Sequence, residues 1–558
     1  MSYKKGEDRH QGILFPDCID DYIGEDAPVR FFDAFVDKLD LSGLGFKRSE
    51  PEERGRPAYD PRDLLKLYIY GYFYQVRSSR RLARECRCNV ELMWLLNKLT
   101  PDFRTIADFR KDNAKSLKKV FREFTRFCIN MKVLCKSYIS IDGSKFRAMN
   151  AKDRNLTLSK LDDRIKRLEE HIDLYLAELD SEDEADARKL SKEEVRRKLD
   201  VCRERKDRYE GYRRQLEESG ESQLSLTDED ARLMKTSEGF GVGYNVQTAV
   251  DAESHIVTGY NVTNRPTDHG LITQTAMEVK EDYGTDVLEC VADKGYEGNA
   301  DHANALAGGI IPNVIRRDGG SSEEVTFDYR PVEISEQMRG STKPEDIRAC
   351  LEAGVVPDAY EGILSNPRIV NGRGGSTGTS DEAVSRMTEE QMKELALDGN
   401  FVRDAERNLV YCPRGEILRQ KSVTSGGNIR YCNRLACLGC PGKCTASKFK
   451  VVEFNKDTLV IGAHGRKSPT VRKVPGSGKR EPARRVRYTL HLDTKKMDNR
   501  KCLSEHPFGT IKRTLGQYYF LLRGMTNVEG EMGLFCLSYN IRRVINMVGV
   551  SRMLEALV

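Results

Sequence analysis

Two apolar runs far apart in the chain end alike, and together they restrict the fold to one class. In SYISIDGSKF, Tyr138, Ile139 and Ile141 read as a short strand rich in aromatic and β-branched residues. It ends on Asp142, and Gly143 breaks it one residue later. In TDVLECVADKGYEG, Val287, Leu288, Cys290 and Val291 read as a buried strand that stops at Asp293, before Gly295 and Gly298 break the chain. Each acid closes an apolar strand, with glycine and lysine just behind it. Side chains at neighbouring strand ends of a mixed α/β sheet converge on one site, so Asp142 and Asp293 are expected side by side. Lys145, Arg147, Lys152 and Arg154 follow Asp142 at once. A carboxylate set in a basic field suits a metal ion and a phosphate.

The segments around these strands have other rhythms. To about residue 136 the chain reads as successive helices. DPRDLLKLYIYGYFYQV has Asp60 as N-cap, Pro61 at the first helical position and an apolar face of Leu64, Leu65, Leu67 and Tyr68. Arg77, Arg80, Arg81 and Arg84 crowd the start of the next helix. Short basic helices fit a helix-turn-helix-like DNA binder, and an all-α cap with solvated arginines fits equally. From Leu161 to Leu216 a charged helical segment keeps a heptad-like seam, interrupted by SEDEADARK, and reads as a helical hairpin set into a loop, its charges a solvated face. GFGVGYNVQTAVDAESHIVTGYNVT reads as a β-hairpin, HGLITQTAMEVKEDYG as a helix and GGIIPNVI as one more strand. From Arg316 to about Phe401 the rhythm is lost.

The expected division is therefore a helical N-terminal DNA-binding region (1–136), a first strand with its basic loop (137–160) and a helical hairpin (161–225). The sheet then continues (226–316), followed by an insert with linker and cysteine cluster (317–460), a basic linker (461–490) and C-terminal helices (491–558).

Whole-chain charge says little: 92 Lys and Arg against 87 Asp and Glu leave a net +5 over 558 residues, so clustering must carry any case for nucleic acid. No run approaches the roughly 18 apolar residues of a membrane span, and the start, MSYKKGEDRHQG, is charged, which points to a soluble intracellular protein. Most of the 15 cysteines, such as Cys128, Cys135 and Cys536, read as buried thiols of a reducing compartment. One group differs. Cys412, Cys437, Cys440 and Cys444 stand at spacings, and among Gly and Pro turns, that suit a tetrahedral structural zinc, with Cys432 able to replace Cys412. Nine Lys or Arg residues between Arg466 and Arg487, interleaved with Pro and Gly, suit a phosphate backbone.

A third acid, Glu505, is expected to open a helix that tolerates Pro507 in its first turn and ends at Gly516. Lys512 falls two turns along the same face. The order IDGSK, VADKGYEG, EHPFGTIKR resembles the DDE transposases of bacterial insertion sequences, from about Asp60 to Arg543. More narrowly it resembles the branch with a helical hairpin after the first strand, a four-cysteine insert and a Y-x2-R-x3-E-x6-K signature. Here Glu505 and Lys512 stand in place, Asp498 occupies the tyrosine position, and Lys501 the arginine position with Arg500 beside it. GYNVQTAVD, RPTDHG and YFLLRG followed by LSYNIRR are also similar to that family.

The resemblance implies an RNase H-like mixed sheet with flanking helices, preceded by an all-α DNA-binding region and interrupted by the hairpin and the zinc insert. It implies two magnesium or manganese ions, with Asp142 bridging both and Asp293 and Glu505 each holding one. Lys512, Lys501, Arg500 and Lys145 would contact phosphates near the cut, and Arg77, Arg80, Arg81 and Arg84 would bind DNA further off. The implied activity is that of a transposase, binding terminal repeats in double-stranded DNA, cutting at them and joining the 3′ hydroxyl to target DNA. It would work as a homodimer in the bacterial cytoplasm, at the nucleoid and away from membranes. A nuclease that cuts without joining, or a non-catalytic DNA-binding regulator, are the alternatives. Were Glu505 to lie far from both aspartates, Glu529 or Glu531 would be the next acids to consider.

Overall fold

The structure is a computed structural model, and it describes residues 18–50, 58–180, 192–219, 223–236, 239–371, 389–397, 400–405, 407–424, 427–440, 449–455, 459–462 and 484–558. Helices come first: α1 (Pro28–Asp37), α2 (Pro61–Phe73), α3 (Ser79–Cys88), α4 (Val90–Leu95), α5 (Phe103–Asp112) and α6 (Ala114–Asn130). The expected start of α2 is present. The Asp60 carboxylate accepts the Arg62 N–H ahead of Pro61. Nearly every residue of α2 is buried, whereas α3 buries only Leu82 and Cys86.

The central sheet contains β1 (Tyr138–Arg147), β2 (Arg232–Thr236), β3 (Gly239–Asp251), β4 (Val257–Thr263), β5 (Leu288–Ala292) and β6 (Ile310–Val314). β4, β3 and β1 run antiparallel in that order, and β5 and β6 continue parallel to β1 on its other side. β2 pairs with the first part of β3. This is a mixed α/β fold, a central sheet flanked by helices, consistent with an RNase H-like core.

Gly143 does not end the first strand, as the sequence suggested. β1 pairs with β3 as far as Arg147, and only its parallel pairing with β5 stops early, at Ser140. Glycine is kept there for room. A Cβ at 143 would stand 2.4 Å from Asp268 Oδ1 and 2.6 Å from Gln247 Nε2.

The hairpin expected over Leu161 to Leu216 consists of α7 (Leu158–Asp180) and α8 (Lys192–Ser219), with SEDEADARK outside the described residues. α9 (Ile272–Tyr283) and α10 (Asn299–Ala307) complete the layers around β5 and β6. Beyond them, the stretch expected to lack rhythm holds β7 (Ser322–Asp328), α11 (Pro344–Ala353) and β8 (Leu364–Asn371). The six strands that follow are β9 (Asn400–Asp404), β10 (Leu409–Tyr411), β11 (Ile417–Val423), β12 (Ile429–Cys432), β13 (Val451–Phe454) and β14 (Val460–Gly462). With α12 (Glu389–Leu397) and α13 (Arg434–Gly439) they form a separate sheet.

The end of the segment read as basic linker is a strand, β15 (Arg484–His491), central between β7 and β8. Val486, Tyr488 and Leu490 alternate inward there, packing with Val325, Leu351 and Tyr360. The arginines between them hide that period from a composition reading.

Two helices close the chain's core: α14 (Thr494–Gly509) and α15 (Met525–Val548). α15 joins regions that the sequence keeps far apart. Its Phe535 meets Tyr72 of α2 at 5.6 Å, Phe146 of β1 at 6.1 Å and Phe520 in a parallel stack at 5.5 Å between ring centres. Helices α1–α6 and the central sheet thus share one hydrophobic core. At Gly530 the fit of α15 on α6 is so close that a Cβ would come within 2.4 Å of the Ala114 carbonyl oxygen. Among the described residues no helix is long and apolar enough to cross a membrane.

Candidate active site

Strand alternation divides β1 between two environments. Asp142, Ser144 and Phe146 face α14 and its extension. Arg500 Nη1 lies 3.7 Å from Asp142 Oδ2, Phe508 packs on Phe146, and Lys512 Nζ donates to Ser144 Oγ and to the Lys145 carbonyl, both at 2.7 Å. Gly143 and Lys145 turn the other way, opposite Gln247 and Asn245 of β3.

Asp142 has 18% of its side chain exposed, and its Oδ1 accepts the Gly143 N–H at 2.8 Å. Burial pushes its carboxyl up to about 6, against the opposing pull of Arg500 and the Gly143 N–H, and the charge of Asp293 adds to the rise. Asp293 follows β5 directly. Its Oδ1 accepts the Gly295 N–H at 2.7 Å and so caps the turn Lys294–Tyr296. Asp142, in the middle of β1, and Asp293, just after β5, are near enough for their charges to act on each other, a like-charge relation that a cation would relieve. Their oxygens are the donor type that suits magnesium or manganese.

Glu505 is placed differently from expectation. α14 opens at Asp493, whose carboxylate accepts the Lys495 and Lys496 N–H groups, so Glu505 lies near its end rather than its start. Pro507 lies inside the helix rather than in its first turn; a π-turn, Thr510–Thr514, follows it, and Gly516 in the left-handed region ends the run. Ser504, one residue before Glu505, is buried against Arg500 and Asp142. Glu505 itself is exposed one step round the helix. Among the described residues, no three His, Cys, Asp or Glu side chains are grouped closely enough to hold a metal ion. Asp142 and Asp293 lie within reach of each other's charge, and Glu505 stands on the helix that carries Arg500 and Ser504 against Asp142.

Of the bases expected near phosphate, Arg500 is buried against Asp142 and its Nε lacks a hydrogen-bond partner among the described residues. Lys145 pairs with Asp268 at 3.1 Å, and the Lys501 side chain lies outside the described residues. Several residues of the site are not evident from the sequence. Asp268 Oδ1 also accepts from Asn245 Nδ2 at 2.7 Å and Gln247 Nε2 at 2.9 Å, and Gln247 Oε1 accepts from the buried Tyr296 hydroxyl. The only sequence signal is the motif RPTDHG, which contains Asp268 but gives it no partner.

The arginine cluster is split by burial. Arg80, Arg81 and Arg84 are exposed on α3, with Arg80 over the Phe103 ring. Arg77, expected to bind DNA, is instead buried and turned away from solvent. Its guanidinium donates to the Tyr519 and Gly516 carbonyls, stacks 4.4 Å over Tyr519 and lies 4.0 Å from Glu531. Glu531, one of the fallback acids, is fully buried, accepting from Tyr72, Leu521 and Leu522 with Arg110 at 3.7 Å. Glu529 pairs with Lys118. Both fallback acids therefore have structural partners.

In the six-stranded sheet Cys412 follows β10, Cys432 ends β12, and Cys437 and Cys440 lie in and at the end of α13. Cys444 lies outside the described residues, as does most of the basic stretch from Arg466.

Residues 17–112 match the family model of a transposase domain, DUF772, and residues 411–545 match that of a transposase DDE domain. Both matched segments are of transposase type. The first takes in the N-terminal helices through α5, and the second takes in Glu505, Lys512 and most of α15; Asp142 and Asp293 lie between the two. No curated protein matches the chain. A solved structure, a piggyBac transposase synaptic complex with hairpin DNA, is similar over 95% of this chain and 79% of that one, at 8% identity and a TM-score of 0.26. That likeness is too loose to place any residue.

Proposed function

We propose that the protein is a DDE transposase that binds the terminal repeats of its element, cuts phosphodiesters at their ends and joins the freed 3′ hydroxyl to target DNA. The observation that carries this reading is the like-charge relation of Asp142, on β1, and Asp293, just after the neighbouring β5, with Arg500 of α14 against Asp142, in a chain with transposase-domain matches on both sides of them. Asp142, Asp293 and, after movement of its side chain or of α14, Glu505 would hold two magnesium or manganese ions. Those ions would activate the attacking oxygen and stabilise the leaving one.

The chain's own groups do the rest. Arg500 offsets the charge of Asp142 until metal arrives, and Lys512 brings positive charge to the same face of β1, at Ser144. The exposed Arg80, Arg81 and Arg84 grip the phosphate backbone of double-stranded DNA, and Lys145 takes a phosphate near the cut. Cys437, Cys440 and Cys444, with Cys412 or Cys432, hold a structural zinc that takes no part in the chemistry. A homodimer would hold two element ends.

Purified protein incubated with DNA carrying the element's ends, a supercoiled plasmid and magnesium should yield both cut ends and joined products. Cut ends without joined products would leave a nuclease. DNA binding without either would leave a regulator.

A further inference from the structure

As a step beyond the transposase reading, on which it rests, we infer that Asp268 is a positioning residue of the reaction centre, fixing the ammonium of Lys145, three residues along β1 from Asp142, to receive a DNA phosphate. Asp268 lies in the connection between β4 and α9, far in sequence from both aspartates, yet it comes close to the backbone beside each of them. A Cβ at Gly143, next to Asp142, would stand 2.4 Å from Asp268 Oδ1. A Cβ at Gly295, two residues after Asp293, would stand 2.9 Å from Asp293 Oδ1 and 3.8 Å from Asp268 Oδ2. Gly143 is thus the position that admits this third carboxylate, while Gly295 makes room for the Asp293 carboxylate and brings the backbone after it within contact of Asp268.

The hydrogen bonds show how the carboxylate is used. All three of its donors, Lys145 Nζ, Asn245 Nδ2 and Gln247 Nε2, converge on Oδ1. Asn245 and Gln247 sit on β3 directly across from Lys145 and Gly143. Gln247 is itself held from behind, its Oε1 accepting the Tyr296 hydroxyl, which burial keeps neutral. Two amides and a tyrosine fix the acid, and the acid fixes the lysine.

A lysine is a flexible point charge with three donors. Lys145 spends one on Asp268 and has 16% of its side chain exposed, so two protons remain for a phosphate oxygen without a search through rotamers. Its carbonyl is tied to Lys512 Nζ on the opposite face of the strand, which fixes the backbone from which it projects.

The test is a double-mutant cycle read in single-turnover cleavage at saturating protein, with Lys145→Ala, Asp268→Ala and the double variant. The near-isosteric Asp268→Asn serves as the folding control. Each of the two alanine variants should slow cleavage by about tenfold, and the double variant should be no slower than Lys145→Ala to within about twofold. Lys145→Ala should lower the salt slope of DNA binding by about 0.9, the value of one phosphate left without its cation, whereas Asp268→Ala, which keeps the lysine, should not lower it. Asp268→Asn should melt with the wild type and still cleave more slowly.

Rate losses that multiply in the double variant would overturn the inference, since Asp268 would then act independently of Lys145. So would loss of manganese binding in Asp268→Asn but not in Lys145→Ala, which would make Asp268 a metal ligand. Wild-type protein that cuts no DNA would instead refute the transposase reading itself.

Discussion

Replacing Asp142 by Asn should stabilise the magnesium-free protein, and the gain should depend on pH in a particular sense. The Asp142 carboxyl is raised from 3.8 to about 6, first by burial and further by the charge of Asp293. A group whose folded value stands above its unfolded one binds its proton more tightly in the folded state. It costs little at pH below the unfolded value, and stability is lost as pH rises through the folded value. The full difference corresponds to on the order of 3 kcal/mol, reached above about pH 7, with about 1 kcal/mol already present near pH 4.5. Asn copies the protonated form at every pH.

Urea unfolding in magnesium-free buffer, without a chelator that would strip zinc, can follow Trp94, the single tryptophan, which packs against the core shared by the N-terminal helices and the sheet. The Asn variant should exceed the wild type by about 3 kcal/mol at pH 7.5, shrinking to about 1 kcal/mol at pH 4.5. Equal stability at pH 7.5, or a gain that does not change with pH, would refute the claim that Asp142 is a buried carboxyl strained by its neighbour.

The two classes of arginine should separate cleanly. Arg77→Ala leaves Glu531 short of a buried partner and should cost about 3 to 5 kcal/mol of stability. Arg80→Ala with Arg81→Ala should leave the melting temperature nearly unchanged, while weakening DNA binding and lowering its salt slope by about 0.9 for each phosphate that an arginine no longer neutralises. Freshly reduced protein should carry about one zinc per chain, released by Cys437→Ser or Cys440→Ser; metal analysis finding none would contradict the zinc assignment.

The apolar strands that carry Asp142 and lead to Asp293, the hairpin over α7 and α8, and the N-cap at Asp60 were legible because each depends on near neighbours in sequence. What escaped depends on distant partners. Gly143 reads as a strand breaker until Asp268 is seen in the space its side chain would fill. Arg77 and Arg80 belong to one basic cluster, and only the path of α15 decides that the first is buried against Phe535 and Glu531 while the second faces solvent. Glu505 was recognisable by motif, but its position in α14 followed from the cap at Asp493, twelve residues upstream. The strand period of Val486, Tyr488 and Leu490 was masked by intervening arginines, and its partners β7 and β8 lie in a region with no clear rhythm of its own.

Cleavage of an end substrate carrying sulfur in place of one non-bridging oxygen at the scissile phosphate tests most directly that Asp142, Asp293 and Glu505 deliver metal to that phosphate. Magnesium binds sulfur poorly, and manganese accepts it more readily. With wild-type protein, the sulfur substrate should be cut far more slowly than the oxygen substrate in magnesium, and manganese should restore much of the rate. Asp142→Asn, Asp293→Asn and Glu505→Gln should each abolish cleavage in either metal. Cutting that proceeds without divalent metal, or that survives the loss of Glu505, would contradict a three-acid metal centre.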